Sequence, residues 1–457
     1  MPLLRRAAAA PRRLLGPAGG WVSARSRHPG VSGAPGCVRT GHPTARLASE
    51  DGGASQRASL YVHWPFCKRR CAYCNFNKYI SVSVDHTAMR NALVQETETL
   101  LRDSQVKEIT SVFFGGGTPS LAKPSTVASI LETVTKATRT YRNLEVSLEA
   151  NPTSVSLSKL AEFKEAGVNR ISLGIQALRN DDLKILGRDH TVQEAVWSLE
   201  EARNLYRGCT SVDIIFGHPG QSLELWEKEL EEILTLCDHH VSLYQLTLER
   251  GTALYKQVQE KVLKMPEQQL VAEMYNVARN ILEKAGFHQY EVSNFAKNGA
   301  VCHHNLGYWR GMQYLGVGPG AHGRFVPRGD GKTQREARIQ TLEPDHWLRE
   351  VRQFGHGTRK RVPQSELDIL EEVLVLGLRM NQGLTHQHWQ QHSPLFSLKE
   401  AMGESPEVQQ YLQEELLILD DRGLRCSWEG LALLDSLLPT LLNQLQHSYW
   451  NSASRCL

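Results

Sequence analysis

The chain has 457 residues, of which 41% are apolar and 22% charged, with a formal net charge of +3. That length holds two or three domains with large buried cores, and the composition is that of a globular protein, not a small secreted disulfide scaffold. Apolar runs such as "LALLDSLLPTLL" are too short for a membrane span and carry Asp435 and Pro439.

Residues 1–49 contain eight arginines, many Ala, Gly, Pro and Ser, and no acidic residue before Glu50. The pairs Arg5-Arg6 and Arg12-Arg13, set among Leu and Ala, predict a mitochondrial transit peptide; a disordered basic arm is the plainer alternative. A secretory signal would need an unbroken apolar stretch, which is missing. Without that segment 52 − 8 = 44 basic residues face 49 acidic ones, so the balance becomes −5. Nothing in that balance resembles a nucleic-acid footprint, and nucleic acid is not an expected partner.

The first apolar, β-rich run is "SLYVHW", and "CKRRCAYC" follows it, placing Cys67, Cys71 and Cys74 within eight residues. The other six cysteines, at 37, 209, 237, 302, 426 and 456, are single, which fits a reducing compartment. Three clustered thiolates suit zinc or iron–sulfur. A structural zinc site is closed by four ligands, and His63 is the nearest candidate for a fourth. Three thiolates on a four-iron cluster instead leave one iron open, as a reaction centre requires.

Further runs follow in order: "ITSVFF", "LEVSLE", "NRISLGI", "SVDIIF" and "VSLYQL", with helical patterns around 84–103, 124–137, 156–166, 191–206 and 222–236. Six βα units predict an open, partial barrel, because a closed one takes eight. Polar or glycine-rich residues stand where each run ends: the cysteine loop, "GGGTPS" at 115–120, Glu149, Gln176, Asp213 within strand five, and Tyr244-Gln245. In such a barrel these ends meet at one mouth. Glycines let backbone groups approach a ligand, Glu149 can accept from ribose hydroxyls, and Gln176, Arg188 and Asp213 add polar contacts.

Taken together, "CKRRCAYC", "GGGTP", "EANP" at 149–152 and "GIQ" at 174–176 resemble the radical S-adenosylmethionine (SAM) superfamily. "YVHWPFC", "LGRDH", "DIIFGHPGQ", "LYQLTLERGT", "YEVSNFA" and "HNLGYW" are similar to its HemN/HemW branch. The resemblance implies an α/β fold: a partial (β/α)6 TIM-like barrel over residues 50–300, a connecting segment over 301–340, and a mostly helical, winged-helix-like domain over 341–457. It implies that Cys67, Cys71 and Cys74 hold a [4Fe–4S] cluster. Tyr61, Gly116, Gly117, Thr118, Glu149, Gln176, Arg188 and Asp213 would contact SAM. Cluster reduction would then permit SAM cleavage to a 5′-deoxyadenosyl radical, chemistry that belongs to the cofactor.

Within this branch the resemblance implies two functions. One is a haem chaperone that passes haem to acceptor proteins, mitochondrial respiratory-chain haemoproteins among them, with peripheral membrane association compatible; the other is oxygen-independent coproporphyrinogen III dehydrogenase. The dehydrogenase pattern has a fourth cysteine two positions after the third, where this chain has Phe76, as HemW does. The chaperone is therefore the expected function, and dehydrogenase activity is not. Haem is then cargo, and "CHHNLGYW" offers its candidate site, with His304 as ligand and Tyr308 and Trp309 for packing. A structural turn is the alternative reading. His322, in the glycine-rich stretch that follows, is expected near the barrel mouth.

Beyond residue 340, "SELDILEEVLVLGLRM" has helical spacing, and Thr385 is placed to cap a helix carrying His386, His388 and His392. Those histidines read as a solvated helix, since i and i+2 point to different faces. "LLILDDRGLRCSWEGLALLDSLLPTLL" reads as helix, short turn and strand, then final helix. With acidic pairs and no basic stripe, this domain is expected to be a lid or partner surface.

Overall fold

The structure is a computed structural model that describes residues 56–81, 83–393, 396–403 and 405–455. The expected leader at 1–49 lies outside the described residues. Six parallel strands lie side by side in chain order: β1 (Arg57–Trp64), β2 (Glu108–Gly116), β3 (Arg139–Ala150), β4 (Arg170–Gln176), β5 (Thr210–Phe216) and β6 (His240–Gln245). Helices α1 (His86–Ser104), α2 (Pro124–Ala137), α3 (Leu157–Glu165), α4 (Val192–Leu205) and α5 (Leu223–Leu236) carry the crossovers. Their starts are set locally. Asp85 accepts from the amides of Thr87 and Ala88, and Thr191 and Glu194 form a reciprocal capping box.

The sheet extends past both ends of this run. β7 (His288–Glu291) and β8 (Asn294–Ala296) continue it beyond β6, with β8 antiparallel to β6. Beyond β1 comes β9 (Tyr314–Val317), parallel to it, then β10 (His322–Phe325), β11 (Glu336–Gln340) and β12 (Thr358–Pro363), all antiparallel. Among the described residues the order is β12-β11-β10-β9-β1-β2-β3-β4-β5-β6-β8-β7, with two free edges. The barrel is therefore open, as six βα units predict. Three of these strands, β9 to β11, come from the segment 301–340.

Period-2 alternation decides what each strand offers to each face. Leu60, Val62, Val112, Phe114, Val146, Leu148, Ile171, Leu173, Val212, Ile214, Val241 and Leu243 belong to one continuous apolar core. The residues between them, Ser111, Glu145, Ser147, Glu149, Arg170, Ser172, Ser211, Asp213, His240 and Ser242, are polar. Their mutual bonds cross from strand to strand: Ser172 Oγ lies 3.0 Å from both Asp213 oxygens, and Arg170 Nη2 donates to Ser211 Oγ at 3.2 Å. The barrel interior is thus built to face a polar ligand, unlike the apolar layers of a filled barrel.

A second core joins Leu370, Val373, Leu374, Trp389, Leu424, Leu437 and Leu441. The helix Glu366–Leu378 begins at a Ser365/Asp368 capping box, and Thr385 accepts from the His388 amide as its type predicts. The run read as helical after 415 is instead a strand, β14 (Leu417–Leu419), between which and β15 (Gly423–Cys426) the chain turns; β13 (Leu384–Thr385) completes the order β13-β15-β14. A four-residue apolar run carries no period, so the turn decides. Asp420 takes two bonds from Arg425, at 2.9 and 2.7 Å, and one from the Arg422 amide at 3.1 Å.

Candidate active site at the barrel mouth

Beyond β1 the short strand Phe66–Cys67 pairs with Tyr79–Ile80. That pairing folds the segment with Cys71 and Cys74 back upon itself. Its backbone is anchored at Ala72, whose amide donates to the Leu186 carbonyl and whose carbonyl accepts from Leu254, both at 2.9 Å. Cys67 is buried, Cys71 and Cys74 half-buried, and all three are free thiols. Thr118 Oγ1 donates to Cys67 Sγ at 3.3 Å, Arg188 Nη1 donates to Cys71 Sγ at 3.2 Å, and the Lys78 ammonium bonds the Cys74 carbonyl. Burial pushes the Cys67 thiol up; Thr118 opposes it, while Cys74 and Cys71 are near enough to add to it.

Donors already aimed at two of the three sulfurs fit the thiolates of a metal cluster, since outer-shell hydrogen bonds stabilise and orient such ligands. Among the described residues no three His, Cys, Asp or Glu side chains stand at metal-ligand spacing. His63 does not complete a zinc set. Its Nε2 bonds the Asn77 carbonyl at 2.8 Å and its Nδ1 the Tyr61 hydroxyl at 3.2 Å, and burial pushes it down to about 4.

The glycines of "GGGTP" press on this loop. The Gly117 amide donates to the Trp64 carbonyl at 2.8 Å. A Cβ on Gly116, where φ is +113°, would lie 2.6 Å from the His63 ring, and one on Gly117 would lie 2.9 Å from the Phe66 carbonyl oxygen. The close approach that sequence reading assigned to a ligand is thus made first by the protein itself.

Opposite stand two carboxylates. Glu149 accepts from the Gly116 amide at 3.1 Å, yet burial and the neighbouring Asp213 push it up to about 8. Burial raises Asp213 to about 6 against the pull of Ser172 and Ser242. Arg188 ties this wall to the cysteines: its Nη2 donates to Asn151 Oδ1 and to the Gly174 carbonyl, both at 2.7 Å, while Nη1 reaches Cys71. Gln176, at the end of β4, adopts φ +73°, a left-handed conformation uncommon outside glycine, and its side chain fills the space beside Gly174. Tyr61 stacks on Phe113 with centroids 6.2 Å apart. Of the eight residues expected around SAM, Tyr61 lies on β1, Asp213 within β5, and the other six at the ends of β2 to β4 or in the loops that follow. Asn151, Lys78 and Phe113 join them without having been singled out; Phe113 was legible as the inward position between Ser111 and Gly115.

At the other end of the interior the helix α6 (His303–Trp309) closes the floor. Glu145 accepts from the amides of His303 at 3.1 Å and His304 at 2.9 Å, and from the Cys302 thiol at 3.4 Å. His304 is buried. Its Nδ1 bonds Ser111 Oγ at 2.9 Å, its Nε2 bonds the Tyr308 hydroxyl at 3.0 Å, and its ring stacks on Phe113. Burial pushes it down to about 3. Asn305 accepts from Trp309 Nε1 at 2.6 Å, and the Arg379 guanidinium lies 4.6 Å over the Trp309 ring. Each residue of the His-Asn-x-x-Tyr-Trp run thus has a partner, and a haem iron reaching His304 Nε2 would have to displace Tyr308.

Residues 61–233 match the radical SAM superfamily and residues 364–433 the HemN C-terminal domain. The chain is 61% identical over 389 residues to "Radical S-adenosyl methionine domain-containing protein 1, mitochondrial" of Danio rerio, covering 85% of this chain and 88% of that one. The chain belongs to the radical SAM superfamily.

It is also 35% identical over 332 residues to "Heme chaperone HemW" of Bacillus subtilis, covering 72% of this chain and 86% of that one. The solved structure of coproporphyrinogen III oxidase (HemN) from Escherichia coli aligns with a TM-score of 0.69 at 20% identity, over 85% of this chain and 90% of that one. At that identity the likeness speaks for the fold. The family implies SAM and a [4Fe–4S] cluster, and the chain, like the Danio rerio relative, is mitochondrial.

Proposed function

We propose that this protein is a haem chaperone that holds haem and passes it to mitochondrial haemoproteins, and that residues 1–49 are its transit peptide. One observation carries the choice within the family: position 76, where a dehydrogenase has its fourth cysteine, is a phenylalanine that is 64% exposed. The similarity to proteins named heme chaperone supports the same reading.

Cys67, Cys71 and Cys74 would hold the cluster, which, once reduced by an external donor, would supply an electron to bound SAM. The chain's own residues do the rest. Thr118 donates to the Cys67 sulfur and Arg188 to the Cys71 sulfur, which orients both. Asp213, and Glu149 once ionised, offer negative charge to the cationic groups of SAM and acceptors to its ribose, with Tyr61, Gly116, Gly117 and Gln176 completing the wall.

The test uses the full chain reconstituted anaerobically with iron and sulfide. Haem is titrated by absorbance, and the same sample is assayed with coproporphyrinogen, SAM and reductant. Stoichiometric haem binding without decarboxylation upholds the chaperone; turnover to protoporphyrinogen replaces it with the dehydrogenase. Cys67→Ala should lose the bound iron and sulfide.

A further inference from the structure

α6 has two faces. His304 and Tyr308, four residues apart, turn into the barrel, while His303, Leu306 and Arg310 recur on the opposite side at helical spacing. That outer side borders a hollow of about 180 Å3 lined by Tyr290, Val301, His303, Leu306, Arg310 and Met380, together with Asn381 and Gln382. The hollow lies where the barrel floor meets the end of the helix Glu366–Leu378. Its apolar lining, Tyr290, Leu306 and Met380, belongs to one small apolar cluster.

Two side chains at this hollow are uncommitted. His303 is exposed, its amide is held by Glu145, and its ring makes no hydrogen bond among the described residues. Arg310 is exposed, makes no ion pair among the described residues, and lies near enough to His388 to push that imidazole down. An accessible imidazole, an unpaired guanidinium and an apolar wall are together what an amphiphilic ferric porphyrin needs: an iron ligand, a counter-charge for a propionate, and a surface for the macrocycle. The neighbouring alternatives are closed. Cys302 is buried, donates to Glu145, and is pushed up to about 12 by that burial. His304 has both nitrogens engaged.

The geometry points to His303 as the haem ligand and Arg310 as a propionate partner, in the hollow outside the barrel floor. This rests on the haem-binding function proposed above. The hollow is small beside the roughly 300–1,000 Å3 of pockets that engulf a ligand. It takes one edge of a flat macrocycle and leaves the remainder facing outward, the arrangement a hand-over to an acceptor requires. It also sets haem at the end of the barrel opposite the cysteines.

The test is a ferric haem titration of the full chain, followed by absorbance and magnetic circular dichroism, for wild type, His303→Ala, Arg310→Gln and His304→Ala. Haem dimethyl ester, which lacks free propionates, is titrated in parallel. His303→Ala should remove the imidazole-ligation signature and weaken binding about tenfold or more. Arg310→Gln should weaken haem about tenfold and leave the ester at wild-type affinity. Because both side chains are exposed, neither substitution should move the melting temperature. A wild type that binds haem while His303→Ala keeps both signature and affinity overturns this assignment and leaves the chaperone function standing. The assignment also falls if only His304→Ala, at unchanged melting temperature, removes the signature. A wild type that binds no haem overturns the function itself.

Discussion

Glu149 and Asp213 share one small polar space, and their titration governs what it can hold. At neutral pH a carboxyl held near 8 is mostly protonated and one near 6 mostly ionised. A glutamate whose folded value lies above the ordinary 4.5 costs stability that grows as pH rises from 4.5 towards 8, because the unfolded chain releases that proton first. Glu149→Gln should therefore raise the stability of the ligand-free chain by about 1–2 kcal/mol at pH 8.5 and by nothing at pH 4.5, as calorimetry at the two pH values would read. The sign reverses for a cationic ligand, which binds the carboxylate. SAM affinity of the wild type should rise between pH 6.5 and 8.5, and Glu149→Gln should be weaker and flatter over that range; isothermal titration calorimetry separates the two.

At the scale of elements, the end of β2 shows what a glycine run is for. Gly116 is held at φ +113° against the His63 ring, so an added methyl meets both backbone strain and an occupied site. Gly116→Ala is expected to cost about 2–4 kcal/mol in denaturant unfolding and to lower cluster occupancy together with it. The strands themselves were plain in the sequence, since β-rich runs alternated with helical spacing, and the expected helix 124–137 coincides with α2 (Pro124–Ala137). The strand at Leu417–Leu419 was not, because a short apolar run fits either period and Asp420 with Arg425 settles the turn only once the hairpin has formed. The role of His304 was equally hidden. Its motif could be read, but its burial depends on Ser111, which is 193 positions away.

For the whole molecule the question is how the C-terminal domain is held to the barrel. The helix Gln268–Lys284 carries Arg279, almost fully buried, whose guanidinium lies 3.8 Å over the Trp428 ring and donates to the Trp428 carbonyl. Arg279 Nε also donates to Gln289 at 2.8 Å, so one side chain joins the barrel edge to Trp428 of the C-terminal domain. Arg379 and Glu291, 3.6 Å apart and buried, add a second tie. Arg279→Ala removes a desolvated cation with its partners and should cost about 3 kcal/mol, splitting a single calorimetric transition into two as the domains uncouple. Among the described residues no helix is long and apolar enough to cross a membrane.

The sequence by itself determined the family, the six βα units and the positions of the clustered cysteines and of the polar residues at the strand ends, because each is carried by local spacing: three cysteines in eight positions, apolar residues at period two, glycines in a row. Only the tertiary structure decided which groups meet. Arg188 reaches Cys71 across 117 positions, Glu145 caps a helix 158 positions away, and of His303 and His304, adjacent in the chain, one is exposed and the other buried. Such pairings are set by register and packing among distant strands, and a linear pattern holds no record of them.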